Sequence, residues 1–146
     1  MKVLLQRVSK AHVEVDGEIV GKIGNGVVVF LGVMKGDTEK ELEYLVEKTA
    51  KFRFFPDEKG KMNLSLLDVK GEALIISQFT LAADGKKGKR PSFDQAASPE
   101  EAESLYKKFI QKLEDLGVAT ASGIFGAHMH IHLINDGPVT FLLEKA

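Results

Sequence analysis

The sequence predicts an α/β fold: a single domain, residues 1–146, with mixed β-sheets and two main helices. Three observations predict it. β-Branched apolar segments open and close the chain, and two interior stretches carry helix start signals followed by apolar residues three and four apart. The resulting order is strands, helix, strand, helix, strands, with no linker, internal repeat or low-complexity segment.

The elements follow in order. Val3 to Val8 and His12 to Val15 read as strands, with a turn at Asp16-Gly17. Glu18 to Ile23 reads as a third strand, closed by Gly24-Asn25-Gly26. Val27 to Val33 is an uninterrupted apolar run, the pattern of a strand buried on both faces. After the Lys35-Gly36-Asp37 turn, Thr38 and Glu41 form a capping box, and Leu42, Leu45, Val46 and Thr49 share one helical face. Pro56 to Gly60 is a turn, and Ala73 to Phe79 is another buried strand. Residues 82–97 are loop-like. Ser98-Pro99-Glu100-Glu101 supplies a cap, a first-position proline and a reciprocal glutamate. Leu105, Phe109, Leu113 and Leu116 continue that helix, and Gly117 ends it. Val118 to Ser122, His128 to Ile134 and Val139 to Leu143 return to strand.

Composition excludes several classes of function. With 44% hydrophobic and 28% charged residues the chain is that of a soluble globular protein. At 146 residues it buries a core without staples. No cysteine is present, which removes disulfides, thiolate metal sites and a cysteine nucleophile. The apolar start Met1-Lys2-Val3-Leu4-Leu5 is too short for a signal peptide, and no run approaches a membrane span. A cytosolic, membrane-free protein is the expectation. A net charge of -1 gives no global attraction to nucleic acid, so any such binding needs a local patch.

Three features carry chemistry. Ser77-Gln78-Phe79-Thr80 ends a buried strand, where two hydroxyls and an amide either line a small polar pocket or satisfy the backbone as the strand leaves the sheet. Asn135-Asp136-Gly137-Pro138-Val139-Thr140 places Gly-Pro between strands, as an ordinary turn or as a cis bond. Lys86, Lys87, Lys89 and Arg90 alternate with glycines in a flexible basic loop, either a solvated surface or a contact for phosphates without base readout.

Together these features resemble the D-aminoacyl-tRNA deacylase family, also called D-tyrosyl-tRNA deacylase. The resemblance runs nearly end to end. It covers Leu5-Gln6-Arg7-Val8, Val15-Asp16-Gly17-Glu18, Leu31-Gly32-Val33 with Lys35-Gly36-Asp37-Thr38, and Lys61-Met62-Asn63-Leu64-Ser65. It continues through Ser77-Gln78-Phe79-Thr80-Leu81, Arg90-Pro91-Ser92-Phe93, Phe125-Gly126-Ala127 with Met129, and Asn135 to Thr140. The Ser-Gln-Phe-Thr and Asn-x-Gly-Pro-Val-Thr motifs, in this order and separation, are specific as a pair. Ala82-Ala83 stands where family members often carry a tyrosine, and the histidine-rich strand at 128–132 is not a family motif.

The resemblance implies a homodimer with active sites at the subunit interface, acting on aminoacyl-tRNA without a cofactor. Each site would use Ser77, Gln78, Phe79 and Thr80 of one subunit and a cis Gly137–Pro138 of the other. Arg7 and Asn135 would support that dipeptide, and Phe125, Gly126 and Met129 would lie near the terminal adenosine and aminoacyl group. The reaction implied is hydrolysis of the ester of a D-amino acid, and of mischarged glycine, with L-substrates excluded by the rigid dipeptide.

Ester hydrolysis passes through a tetrahedral oxyanion that needs aimed donors, and the Phe79 and Thr80 N–H groups are the candidates. The Ser77-Gln78-Phe79-Thr80 motif contains no histidine or carboxylate to activate Thr80. Water attack assisted by the neighbouring 2′-OH of the tRNA is therefore favoured over a Thr80 nucleophile. Two rival classes stand beside this reading. In one, His128, His130 and His132 alternate on a strand as metal ligands; the outer pair would lie roughly 13 Å apart, so a further ligand such as His12 would be needed. The simpler account is a polar strand face, with Met129, Ile131 and Leu133 turned to the core. The other is a non-catalytic tRNA-binding module built on the basic loop.

Overall fold

The structure, a computed structural model, describes residues 1–146. One long strand organises the sheet. β1 (Lys2–Val15) pairs antiparallel with β2 (Glu18–Ile23) through residues 11–15 and with β3 (Gly26–Gly32) through residues 2–8. Along its other edge runs β8 (His130–Glu144), also antiparallel. β6 (Glu72–Ser77) lies parallel to β3, and β7 (Ala119–Ser122) parallel to β6. A two-stranded hairpin, β4 (Phe55–Pro56) and β5 (Met62–Leu64), stands apart.

The helices are α1 (Glu39–Lys51) and α2 (Pro99–Asp115). Thr38 forms the full capping box with Glu41 on α1. On α2 the Ser98 hydroxyl accepts from the Glu101 N–H at 3.3 Å, with Pro99 in the first turn. Leu42, Leu45 and Val46 of α1 and Leu105, Phe109 and Leu113 of α2 bury against Val3, Leu5, Val27, Val29 and Ile75 of the sheet. This is the larger core; ion pairs Lys108–Glu39 and Lys112–Glu43 tie the two helices at the surface.

A second, smaller core fills the opposite side of the sheet: Val8, Ala11, Val13, Ile23, Val28, Leu74 and Ile76. The sheet curls around it until β2 meets β7. A Cβ on Gly21 would stand 2.5 Å from the Ser122 carbonyl oxygen, so only glycine permits that approach. The alternating apolar pattern expected of half-buried strands therefore gives way, in β3 and β6, to continuous burial between two cores.

Four boundaries differ from the sequence expectation. The two opening strands are one, because β8 pairs along both halves and bridges the register shift between Val8 and Ala11. The two closing strands are likewise one, interrupted only by a bulge: Thr140 faces Gln6 and Asn135 faces Val8, so residues 136–139 oppose Arg7 alone. The run expected to continue as strand to Phe79 stops at Ser77 and becomes a 3₁₀ turn, Phe79–Ala82. His128 and Met129 precede β8 rather than belonging to it. No helix is long and apolar enough to cross a membrane.

Candidate active site

Parallel pairing of β3 and β6 brings their carboxyl ends together, and a cavity of about 490 Å³ opens there. Ligand sites of α/β sheets lie at this end of the strands. Its walls are mainly apolar: Leu31 is the next-to-last residue of β3 and Val33 lies just beyond it, Ile76 is the next-to-last residue of β6, and Phe125 and Met129 come from the segment before β8. Ser77 and Gln78 form its polar rim with Phe79 beside them, Gly126 and Ala127 a backbone wall, and Pro99 and Ala102 the first turn of α2. Phe125 is braced from behind by Tyr106, whose ring centroid lies 5.8 Å away. The Tyr106 hydroxyl donates to the Ile75 carbonyl at 3.2 Å, and burial holds its pKa above the ordinary tyrosine value.

The turn after Ser77 sets the donors. The Gln78 N–H is spent on the Leu31 carbonyl at 2.8 Å, and the first N–H with an acceptor inside the turn is that of Leu81, on the Gln78 carbonyl at 3.2 Å. The N–H groups of Phe79 and Thr80, between them, are left for an acceptor outside the turn. The Thr80 hydroxyl accepts from the Gln78 side-chain amide. Thr80 itself does not line the cavity, and no carboxylate or histidine holds its hydroxyl. The Phe79 ring is 56% exposed at the cavity mouth, edge-on to Phe93 at 5.0 Å.

The second motif is built as a braced bulge. The Gly137–Pro138 bond is cis, as the resemblance implied. Asn135 Oδ1 accepts the Val139 N–H at 2.9 Å, while Asn135 Nδ2 donates to Thr140 Oγ1 at 2.9 Å. Gln6 Nε2 donates to the same hydroxyl at 3.2 Å. Arg7 lies half-buried beneath the bulge; its Nε donates to the Asp136 carbonyl at 3.0 Å and its Nη1 to the Phe54 carbonyl at 2.7 Å. One guanidinium thus fixes the bulge to the helix-side core.

Within one chain the two motifs remain apart: neither Gly137 nor Pro138 lines the cavity of Ser77 to Phe79. The four basic residues lie on an exposed loop closed by paired backbone hydrogen bonds between Asp84 and Ser92, both 2.8 Å. The histidines do not act as a triplet. His128 lines the cavity, whereas His130 and His132 face outward while Met129, Ile131 and Leu133 pack against the second core. His128, Leu31, Val33, Ala96, Ala97 and the start of α2 stand at the site beyond the sequence expectation; pairing between distant segments, which no local pattern encodes, brings them there.

Fold and site define an α/β domain with an apolar, aromatic-walled ligand cavity at the carboxyl ends of its parallel strands. The family described as D-Tyr-tRNA(Tyr) deacylase matches residues 4–144. The D-aminoacyl-tRNA deacylase of Geobacter sulfurreducens is 56% identical, covering 99% of this chain and 95% of that protein. That of Aquifex aeolicus is 51% identical over 99% of this chain and 98% of its own. A solved structure, the c-Myc DNA Unwinding Element Binding Protein, superposes with a TM-score of 0.95 at 43% identity, covering 100% of this chain and 99% of that one. The chain belongs to the D-Tyr-tRNA(Tyr) deacylase family.

Proposed function

We propose that this protein hydrolyses the ester between a D-amino acid and the terminal ribose of tRNA, acting as a homodimer whose two cavities are each completed by the Gly137–Pro138 bulge of the other subunit. The observation that carries the shared site is the separation just described: one cavity with donors at its rim, and one rigid bulge that its own chain does not use there. The unpaired edge of β8, 15 residues long, and the exposed Phe79, Ile134 and Leu142 supply surface for a second copy.

In this reading the terminal adenosine and aminoacyl group lie against Phe125, Gly126 and Met129. The N–H groups of Phe79 and Thr80 receive the oxyanion. Gln78 orients Thr80, whose hydroxyl positions the ester or the attacking water rather than attacking itself, because no base holds it. The backbone of Gly137 and Pro138 closes the side on which an L-side chain would project, and glycine, having none, passes as a D-residue does. Lys86, Lys87, Lys89 and Arg90 follow the tRNA backbone.

Subunit mixing tests the shared site. An Arg7→Ala protein lacks its bulge support and a Phe79→Ala protein its cavity rim. Random exchange of the two places one intact site in half of the dimers and so returns about a quarter of the wild-type D-tyrosyl-tRNA cleavage. No recovery on mixing, or a fully active 16.0 kDa monomer, overturns the arrangement. Parallel assays on D-tyrosyl-, L-tyrosyl- and glycyl-tRNA test the substrate reading.

A further inference from the structure

On the outward face of the β1–β8 ribbon, His12 and His132 stand directly opposite each other in register. Their rings stack, centroids 4.4 Å apart and planes 11° from parallel. Both Nε2 atoms are directed at one carboxylate oxygen: Glu14 Oε1 lies 3.2 Å from His12 Nε2 and 3.5 Å from His132 Nε2. One ligand atom from each residue falls within 4.8 Å of the others.

We propose that His12, Glu14 and His132 form a binding site for a divalent transition-metal ion, zinc foremost, that staples β8 to β1. A tetrahedral zinc site with bonds of about 2.0–2.1 Å separates its ligand atoms by about 3.3 Å, so the two observed separations are already those of a coordination edge. The ring nitrogens lie within 4.8 Å of each other, and the third edge closes when the stacked rings tilt those ends together. Two imidazoles and one carboxylate are borderline ligands that favour zinc, nickel or copper over magnesium or calcium. Binding uses neutral Nε2 lone pairs, so any proton held between a ring and Glu14 is released to solvent. Water takes the fourth position, since all three side chains are part-exposed.

The place of the site separates it from catalysis. His12, Glu14 and His132 alternate along their strands with Ala11, Val13, Ile131 and Leu133, which pack in the second core. Ile131 also lines the cavity, on the opposite face of the ribbon. The ion would fix the strand that carries both a cavity wall and the bulge, without touching substrate. His130, one step along the same face, is not among the three converging groups.

The test uses full-length protein, freed of any affinity tag and stripped with chelator, titrated with Zn²⁺ and Co²⁺. One Zn²⁺ binds per chain and raises the unfolding temperature, and Co²⁺ gives the intense visible bands of tetrahedral coordination. His12→Asn and His132→Asn each weaken Zn²⁺ binding by about tenfold or more, Glu14→Gln weakens it less, and His130→Asn leaves it unchanged. Circular dichroism checks that each exposed-site variant is folded. Binding equally tight in the His12→Asn/His132→Asn double variant, binding lost instead in His130→Asn, or no Zn²⁺ bound at micromolar concentration overturns the proposal.

Discussion

Asn135 and Val139 are joined across the bulge of β8: the side-chain oxygen of one accepts the backbone N–H of the other at 2.9 Å. The asparagine thereby takes the place of a missing ladder partner, while its amide nitrogen holds Thr140. The bulge is closed on itself before Arg7 anchors it from below.

Arg7 serves two carbonyls at once, and a lysine ammonium at the end of a flexible stem does not reproduce that fork. Arg7→Lys leaves the Phe54 or the Asp136 carbonyl unpaired, a cost of about 1–3 kcal/mol. Its kcat/KM on D-tyrosyl-tRNA falls about a hundredfold, since small misplacements of a positioning group carry that penalty. Wild-type kinetics from a folded Arg7→Lys protein would remove Arg7 from the mechanism.

Gly137 has φ +145°, and a Cβ there would meet Val139 Cγ2 at 2.5 Å and Val139 N at 2.7 Å. Gly137→Ala therefore displaces the bulge, at about 1–3 kcal/mol. Initial rates on matched D- and L-tyrosyl-tRNA show the effect: either cleavage of the D-ester drops, or cleavage of the L-ester emerges. Unchanged rates and unchanged discrimination reduce the Gly-Pro pair to a connection between strand halves.

Thr80→Ala leaves the Phe79 and Thr80 N–H groups in place and removes only a hydroxyl that Gln78 already holds. Under water attack, single-turnover cleavage slows by about tenfold and stays measurable, whereas loss of a nucleophile abolishes it. A labelled amino acid trapped covalently on Thr80 would decide for the nucleophile.

The basic loop is tested by salt. If Lys86 and Lys89 meet tRNA phosphates, changing both to alanine lowers the slope of log K against log salt by about 1.5. Cleavage at saturating tRNA changes far less. An unaltered slope makes the loop a solvated surface.

Acid stability has a local source at the start of α1. Hydrogen bonds from the Thr38 hydroxyl and N–H hold the Glu41 carboxyl down to about 2, from a usual 4.5. A carboxylate depressed in the folded state stabilises it fully above its unfolded pKa and loses that contribution as pH falls through the folded value. Glu41→Gln thus lowers the denaturation midpoint at pH 7, and the difference from wild type closes between about pH 4.5 and pH 2. A difference independent of pH refutes the linkage.

Much of this was legible in the chain. The helices were marked by Thr38, Ser98 and Pro99 because capping is local chemistry. The signature motifs named the rim and the bulge. Joining of the strand halves was not legible: Ser9-Lys10 and Asp136 to Pro138 read as breaks, and only pairing between distant segments carries strand through them. His128 was misplaced for a related reason. An alternating His pattern does not show where strand pairing begins, and it begins at His130.

The brace behind Phe125 has a practical consequence. The chain has no tryptophan and two tyrosines; Tyr44 is 43% exposed on α1, while Tyr106 is buried against the cavity's aromatic wall. Intrinsic tyrosine emission from this protein therefore comes from one residue at the surface and one packed behind the ring that walls the cavity. A ligand seated against Phe125 would change the surroundings of the second emitter, which opens cavity occupancy to optical titration without a label.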